Sequence, residues 1–427
     1  MTVRKVSLGD RPAIHRFYDT SAISPSGKYV AYTEFQDDER LPDPGSIAYV
    51  VVVHLEEASE VYRTETRAWD TQVGAHAQWG RNDNELFFNR MATQDWAPYG
   101  VCVDFLLGGE RALAGPVYMV SAVAAASVSP NLTRIWEVQP GYGVLTPESA
   151  RPPRASIPSD DGVFVVDIES GAMTLIKSLR DIVDAFPEEF AAVKGNARGQ
   201  LYGFHTKWSP DGRRIMFLVR WKSVNGKGNR SLNWIITMTP SGEDMKIALT
   251  PEQWAGGHHP NWCPDSETIL MNLVQSWGPA RLRRVIALFD RIGRRLNIGS
   301  GAGIHKLRFA TFKYDGSAFQ YVALPHVGSG HPTWSEDLNA ILTDAYPHEP
   351  VTAGDGTVPI RLISMDGNRS IELLRMRTVP RFSGPRMEWR VDPHPAWSPT
   401  GDVIVFNGSP DGRRGVYIAE LDVRALS

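Results

Sequence analysis

The sequence predicts an all-β fold, a seven-bladed β-propeller of four-stranded blades, and three observations carry that prediction. A short motif recurs along the chain: His-x-x-Trp, a Ser-Pro-Asp-Gly-like turn, then an apolar run. Its copies lie roughly 50 residues apart or somewhat more, the length of a four-stranded blade. The 38 glycines and 30 prolines among 427 residues call for many turns and short strands rather than a helical bundle.

The clearest copy is "HPAWSPTGDVIVF" from His394, and four more keep the histidine. They are "HAQWGRNDNELFF" from His76, "HTKWSPDGRRIMFL" from His205, "HHPNWCPDSETILM" from His258 and "HPTWSEDLNAILT" from His331. Two copies lack it: "TSAISPSGKYVAYTEF" from Thr20 and "AASVSPNLTRIWEV" from Ala125. The equivalent positions are then Thr20, His76, Ala125, His205, His259, His331 and His394, spaced by 56, 49, 80, 54, 72 and 63 residues. The longer gaps read as insertions.

Each unit begins with a short inner strand carrying the Trp, followed by a turn and a second, apolar strand. A third strand follows, as in "WIITMTP" (residues 234–240) and "GVYIAELD" (residues 415–422). The last unit ends soon after its third strand. "TVRKVSL", within residues 1–8, is therefore expected to complete it and close the ring, which removes an exposed edge. The whole chain, 1–427, reads as one domain. Residues 178–195 carry apolar positions at helical spacing and read as a helical insertion, and residues 37–46 read as a polar surface loop.

Bulk properties narrow the partners. A formal charge of -3 gives no electrostatic case for nucleic acid or an anionic membrane. No apolar run has the length of a membrane span, and the N-terminus lacks the apolar stretch of a signal peptide. Cys102 and Cys263 cannot make a disulfide framework or a thiolate zinc site by themselves. The expectation is a soluble, cytoplasmic protein.

In a propeller, equivalent positions at the start of the inner strands form a ring around the axis. Five of the 11 histidines fall on it. Convergent imidazoles with a nearby carboxylate suit a divalent metal or an acid/base site. Arg390, Asp392 and His394 alternate along one lead, so an extended chain turns all three the same way. A guanidinium there offers a fork for a carboxylate. There is no G-x-S-x-G elbow, phosphate loop or H-E-x-x-H. The Asp160–Asp161 pair reads as a turn before "GVFVVDI".

The repeat resembles the TolB-type propellers over nearly the whole chain. The histidine ring and the closing stretch "DPHPAWSPTGDVIVFNGSPDGRRGVYIAELD" make it resemble, more specifically, the oligogalacturonate lyases, which are seven-bladed propellers. In that family a manganese ion is held by histidines of two successive blades plus a glutamine, while a further histidine and an arginine act on the substrate. The resemblance implies a metal at His331 and His394, a catalytic histidine at His259 with His205 as its neighbour, and an arginine at or near Arg230. Asp392 stands where the family has another metal histidine, Trp389 where it has glutamine, and the family's first-blade histidine pair is missing. Arg390, Arg220 and His76 are assigned to substrate binding.

The function implied is β-elimination on an acidic, uronic-acid-containing oligosaccharide, assisted by a divalent metal, Mn2+ with Ca2+ as the alternative. Two other readings stay open: a glycosidase or epimerase using the same pocket, and a non-catalytic propeller that binds a glycan or a protein.

Overall fold

The computed structural model describes residues 1–153, 155–194, 199–223, 231–276 and 305–422. They form seven four-stranded antiparallel sheets arranged as the blades of a propeller. From blade 1 to blade 7 the inner strands are Ala13–Ile14, Gln78–Trp79, Met119–Ser121, Gly199–Trp208, Gly257–Trp262, Thr333–Ser335 and Ala396–Trp397. Every blade sheet packs between two neighbours, so its middle strands are apolar on both faces. Ile215 to Val219, in the second strand of blade 4, are all buried. Among the described residues no helix is long and apolar enough to cross a membrane.

The expected closure is present. Thr2–Lys5 pairs antiparallel with Gly415–Glu420 and becomes the fourth strand of blade 7. Val6, just beyond it, is 2% exposed. The repeated turn places its glycine in the left-handed region, as at Gly212 (φ 69°) and Gly401 (φ 74°). Two of the five motif tryptophans also reach backward around the ring. Trp79 Nε1 donates to the Ala22 carbonyl of blade 1 at 2.8 Å, and Trp262 Nε1 to the Lys207 carbonyl of blade 4 at 3.3 Å.

A second recurring device joins the blades. A polar side chain at or near the end of a second strand hydrogen-bonds the backbone leading into the next blade. Thr33 Oγ1 accepts from Ala75 N, Asn89 Oδ1 from Val117 N and Asn407 Oδ1 from His15 N. Asn272 Nδ2 donates to the Gly330 carbonyl, and Asp344 Oδ2 accepts from His394 N.

Three local expectations are corrected. In blade 3, Ala125 is not at the start of an inner strand. It lies in the turn between Met119–Ser121 and Ala126–Ser129, at φ 49°. "LTRIWEV" is not a strand but helix α1 (Leu132–Val138), because Asn131 caps it by accepting from Arg134 N, and Leu132, Ile135 and Val138 bury one face. The position equivalent to the ring histidines is therefore Val117.

In blade 1 the inner strand is split. Ala13–Ile14 pairs with Thr33 and Glu34, the sheet is rejoined only at the Ile23–Val30 bridge, and the residues between enter the channel. Finally, residues 390–395 are irregular rather than extended strand.

Of the expected helical insertion, residues 178–195, the structure has one short helix, and residue 195 lies outside the described residues. Helix α2 (Leu179–Ala185) starts with a capping box between Ser178 and Asp181. Phe190 beyond it stacks on Trp234 at 4.3 Å. Asp161 does precede a strand, but it is buried in an ion pair with Arg134 of α1.

Removing residues 1–8 should unpair the Gly415–Glu420 strand. At about 1 kcal/mol per net backbone hydrogen bond and roughly 2 kcal/mol for burying a valine such as Val6, we expect at least ~4 kcal/mol of lost stability. Urea unfolding measures it, and light scattering should show self-association through the new edge.

Candidate metal and substrate site

The leads into blades 4 to 7 bring His205, His259, His331 and His394 together under one mouth of the channel. They are not at an open rim, being between 1% and 7% exposed. His259 (φ 61°) and His394 (φ 49°) hold left-handed backbone, which histidine adopts more readily than most side chains. His331 and His394 stand edge to face at 4.2 Å between ring centroids, and His259 lies over His331 at 3.8 Å.

His331, Asp392 and His394 form a compact cluster. One ligand atom from each lies within 4.8 Å of the others, and all three residues are buried. His331 Nε2 and both nitrogens of His394 are buried without a hydrogen-bond partner. Orphaned imidazole nitrogens beside a carboxylate are the donor set a divalent metal needs. Two nitrogen donors suit manganese, iron or zinc better than Ca2+, which prefers oxygen throughout. Burial, with His331 and His15 nearby, holds His394 well below the usual imidazole range, in the neutral form that ligates.

Asp344 fixes this arrangement. Its Oδ1 accepts from the His331 backbone N–H at 2.7 Å and lies 2.9 Å from His331 Nδ1, while its Oδ2 accepts from His394 N at 3.0 Å. A carboxylate on Nδ1 puts the ring proton there and leaves Nε2 as the lone-pair nitrogen. Gly330 permits the contact, since a Cβ at that position would lie 2.0 Å from Asp344 Oδ1.

His259 has both nitrogens engaged. Nδ1 lies 2.7 Å from the Gly330 carbonyl, which can only accept, so Nδ1 carries the proton. Nε2 then accepts from the Tyr346 hydroxyl at 3.2 Å. His258 Nδ1 is 2.8 Å from His259 Nδ1, and the half-buried His258 ring faces the adjoining cleft. Burial, together with the neighbouring cations, pushes His258 down to about 3.

That cleft, about 430 Å³, lies between blades 4 and 5 and is lined by Gln139, Arg220, Lys222, Asn233, Trp254 and His258, among others. Arg220 Nη1 donates to Gln139 Oε1 at 3.1 Å, while its Nε is buried without a partner. Lys222 Nζ donates to the Val138 carbonyl. Among the described residues neither cation has a carboxylate within 4.0 Å.

The remaining expected residues are placed as follows. Arg390 and Asp392 are together, with Nε to Oδ2 at 2.9 Å, but the other two guanidinium nitrogens donate to Tyr142 Oη (3.0 Å) and the Met387 carbonyl (3.3 Å). Arg390 thus spends its fork on the protein. His205 Nδ1 is engaged by the Tyr118 hydroxyl, and its ring packs on Phe204 at 3.9 Å. His76 is buried beside Tyr118 and 3.6 Å from Asp70, not on the cleft wall. Trp389 is core, its Nε1 donating to the Arg40 carbonyl. Arg230 lies outside the described residues.

Sequence reasoning missed Asp344, Tyr346, His258 and Lys222. The doubled histidine of "HHPNW" was a usable sign for His258. "TDAYPH" offered an acid and a phenol just past a second strand, where the blade-joining residues sit.

Fold and site together define a seven-bladed propeller with a buried two-histidine, one-carboxylate cluster beneath one mouth. Among solved structures the chain is similar to an oligogalacturonate lyase from Vibrio parahaemolyticus, with 13% identity over 98% of this chain and 93% of that one, at a TM-score of 0.61. It is similar also to an oligogalacturonate lyase in complex with manganese, with 14% identity, 100% and 94% coverage and a TM-score of 0.60. The β-propeller domain of the Trilobed protease from Pyrococcus furiosus follows at 11% identity, 92% and 90% coverage and a TM-score of 0.50. At such identities the likeness establishes a common fold. No family model and no curated protein matches the chain.

Asp344→Asn keeps shape but loses the charge that orients His331. Divalent-metal affinity should fall about 10- to 100-fold, as measured by equilibrium dialysis.

Acid should destabilise the metal-free protein. Burial depresses six histidines, with His15 pushed down to about 4, His258 to about 3, and His76, His205, His259 and His394 lowered as well. Their unfolded forms take up protons near pH 6.5 while the folded forms resist, so stability is full above that pH and is lost as pH falls through it. Burial acts oppositely on Glu349, raised to about 7, on Asp161, raised to about 6, and on Asp38, which is also raised. Six groups outweigh three. The melting temperature in chelator should drop between pH 7 and pH 5.

Proposed function

We propose that the protein is a carbohydrate-active lyase that cleaves uronic-acid-containing oligosaccharides by metal-assisted β-elimination. The observation that carries this reading is a metal-type cluster, His331, Asp392 and His394, linked through His259 and His258 to a cleft whose cations, Arg220 and Lys222, have no carboxylate partner among the described residues. A pocket with surplus positive charge and no acidic partner among the described residues suits an anionic ligand. The shared fold with an oligogalacturonate lyase in complex with manganese supports the same reading.

The difficult step is removal of the C5 proton, which is only weakly acidic beside an ionised carboxylate. His331, His394 and Asp392 would hold Mn2+, which when bound supplies positive charge against the enolate that develops. Arg220, whose buried Nε lacks a partner, engages the substrate carboxylate from the cleft side.

The proton passes to the Tyr346–His259 pair. The Tyr346 hydroxyl donates to His259 Nε2, so its oxygen lone pairs are left for the substrate. As that oxygen takes the C5 proton, its own proton moves to Nε2. The C5–H electrons become the C4–C5 double bond, and the C4–O bond breaks with its pair going to the leaving oxygen, which takes a proton from water. His259 thus acts through Tyr346 rather than on the sugar directly.

With Mn2+ and a panel of 4-linked uronide oligosaccharides, ultraviolet absorbance of 4,5-unsaturated products should appear. Tyr346→Phe should cut kcat about 10²- to 10⁴-fold with metal content unchanged, and Arg220→Gln should act mainly through KM. Sugar turnover without that absorbance would select a glycosidase or epimerase, and binding without turnover a non-catalytic module.

A further inference from the structure

Residues 15–22 leave the sheet of blade 1 and fill the axis of the propeller. Phe17, fully buried, lies 4.6 Å from the His394 ring, 5.8 Å from His331, 6.4 Å from His259 and 5.3 Å from His205, edge to face with the first three. Tyr18 lies 5.1 Å from His331, and its hydroxyl donates to the Pro260 carbonyl at 3.3 Å.

The segment is bolted in place by buried charge. Asp19 Oδ1 pairs with Arg16 Nη1 and Oδ2 with Lys207 Nζ of blade 4, both at 2.7 Å, and all three side chains are 2% exposed or less. Lys207 also donates to the Pro260 carbonyl at 2.9 Å. His15 N donates to Asn407 in blade 7, and Arg16 reaches the Tyr118 carbonyl ahead of blade 3. Charges so buried tolerate little displacement, because a lost partner leaves an uncompensated ion in low dielectric.

The two histidines of the metal-type cluster are held differently. Asp344 holds His331 through Nδ1. His394 has no hydrogen bond on either ring nitrogen, so packing alone sets its orientation. Ligating histidines ordinarily have an outer hydrogen-bond partner for that purpose.

We propose that Phe17 is a positioning residue for this cluster, and that its ring holds the His394 imidazole in the orientation that presents a free nitrogen toward His331 and Asp392. The proposal rests on the metal reading above. Its consequence is that a residue with no donor atom, from a segment outside the histidine repeat, controls metal affinity.

The test uses the full-length protein stripped of metal, with Co2+ followed by its visible absorption and Mn2+ by its electron-spin resonance. Phe17→Ala should weaken binding of both ions at least 10-fold and alter the Co2+ bands, while Phe17→Leu, which refills most of the volume, should restore the wild-type spectrum. Phe190→Ala removes an equally buried ring from the outer flank of blade 4 and controls for general destabilisation. It should bind both ions as wild type does. Wild-type affinity and spectrum in Phe17→Ala, or an equal loss in Phe190→Ala, overturns the proposal alone. A wild-type protein that binds neither ion overturns it together with the metal reading.

Discussion

A polar side chain at the end of one blade's second strand grips the backbone that leads into the next blade, and the candidate site depends on that contact. Thr33, Asn89, Asn272, Asp344 and Asn407 all make it. Each ties the lead of an inner strand to a neighbour rather than to its own sheet, which fixes the ring positions relative to one another. In blade 6 the residue is a carboxylate. Asp344 keeps the structural bond to His394 N and uses its remaining capacity on His331, turning a blade joint into an orienter of a metal-type histidine. One substitution within a repeated structural contact thus creates half of the site's geometry.

This explains what was legible in the sequence. The repeat was readable because its turn recurs and its tryptophan stands in five of the seven copies, at 79, 208, 262, 334 and 397. His331, Asp392 and His394 were readable because they occupy repeat positions or stand two residues from one. Blade 3 was misread because "SPNLTRIWEV" satisfies the turn pattern at its start, while Asn131 in fact caps a helix. The plug was not readable, since residues 15–22 make contacts with blades 2 to 7 that no local period encodes. Tyr346 was invisible for a related reason: its role comes from His259, 87 residues away in the chain.

The charges separate into two populations with different physics. Deep in the molecule, Lys207 and Arg16 share Asp19 and Arg134 pairs with Asp161, while Arg308, Arg361 and Arg414 are buried with Nη donors on neutral oxygens. Burying an ion alone costs several kcal/mol, so such groups persist when paired or hydrogen-bonded. In the cleft, Arg220 and Lys222 lean on neutral oxygens of Gln139 and Val138 and have no acid within reach among the described residues. A cation held partly buried against neutral acceptors keeps most of its charge available. The cost of leaving it unpaired is recovered when an anion arrives, so on the proposed reading the cleft, more than the buried cluster, selects the class of ligand.

The departures from the lyase pattern can be weighed in the same terms. Three histidines around a divalent ion would leave its full double charge for the substrate. Asp392 in place of one of them removes a unit, weakening the pull on a developing enolate. Arg390 returns that unit at 2.9 Å from the same carboxylate, with its other nitrogens tied to Tyr142 and Met387 so that it cannot swing into the cleft. Arg390 therefore belongs with the metal-type cluster, not with the substrate. Trp389, packed against Phe35 and Trp69, cannot stand in for the glutamine, so the cluster offers three protein donors. With fewer donors on the protein, a bound ion would have more coordination positions for a ligand's own oxygens. On the proposed reading, the altered donor set would preserve the net charge at the site and leave an ion more room for the oxygens of an acidic sugar.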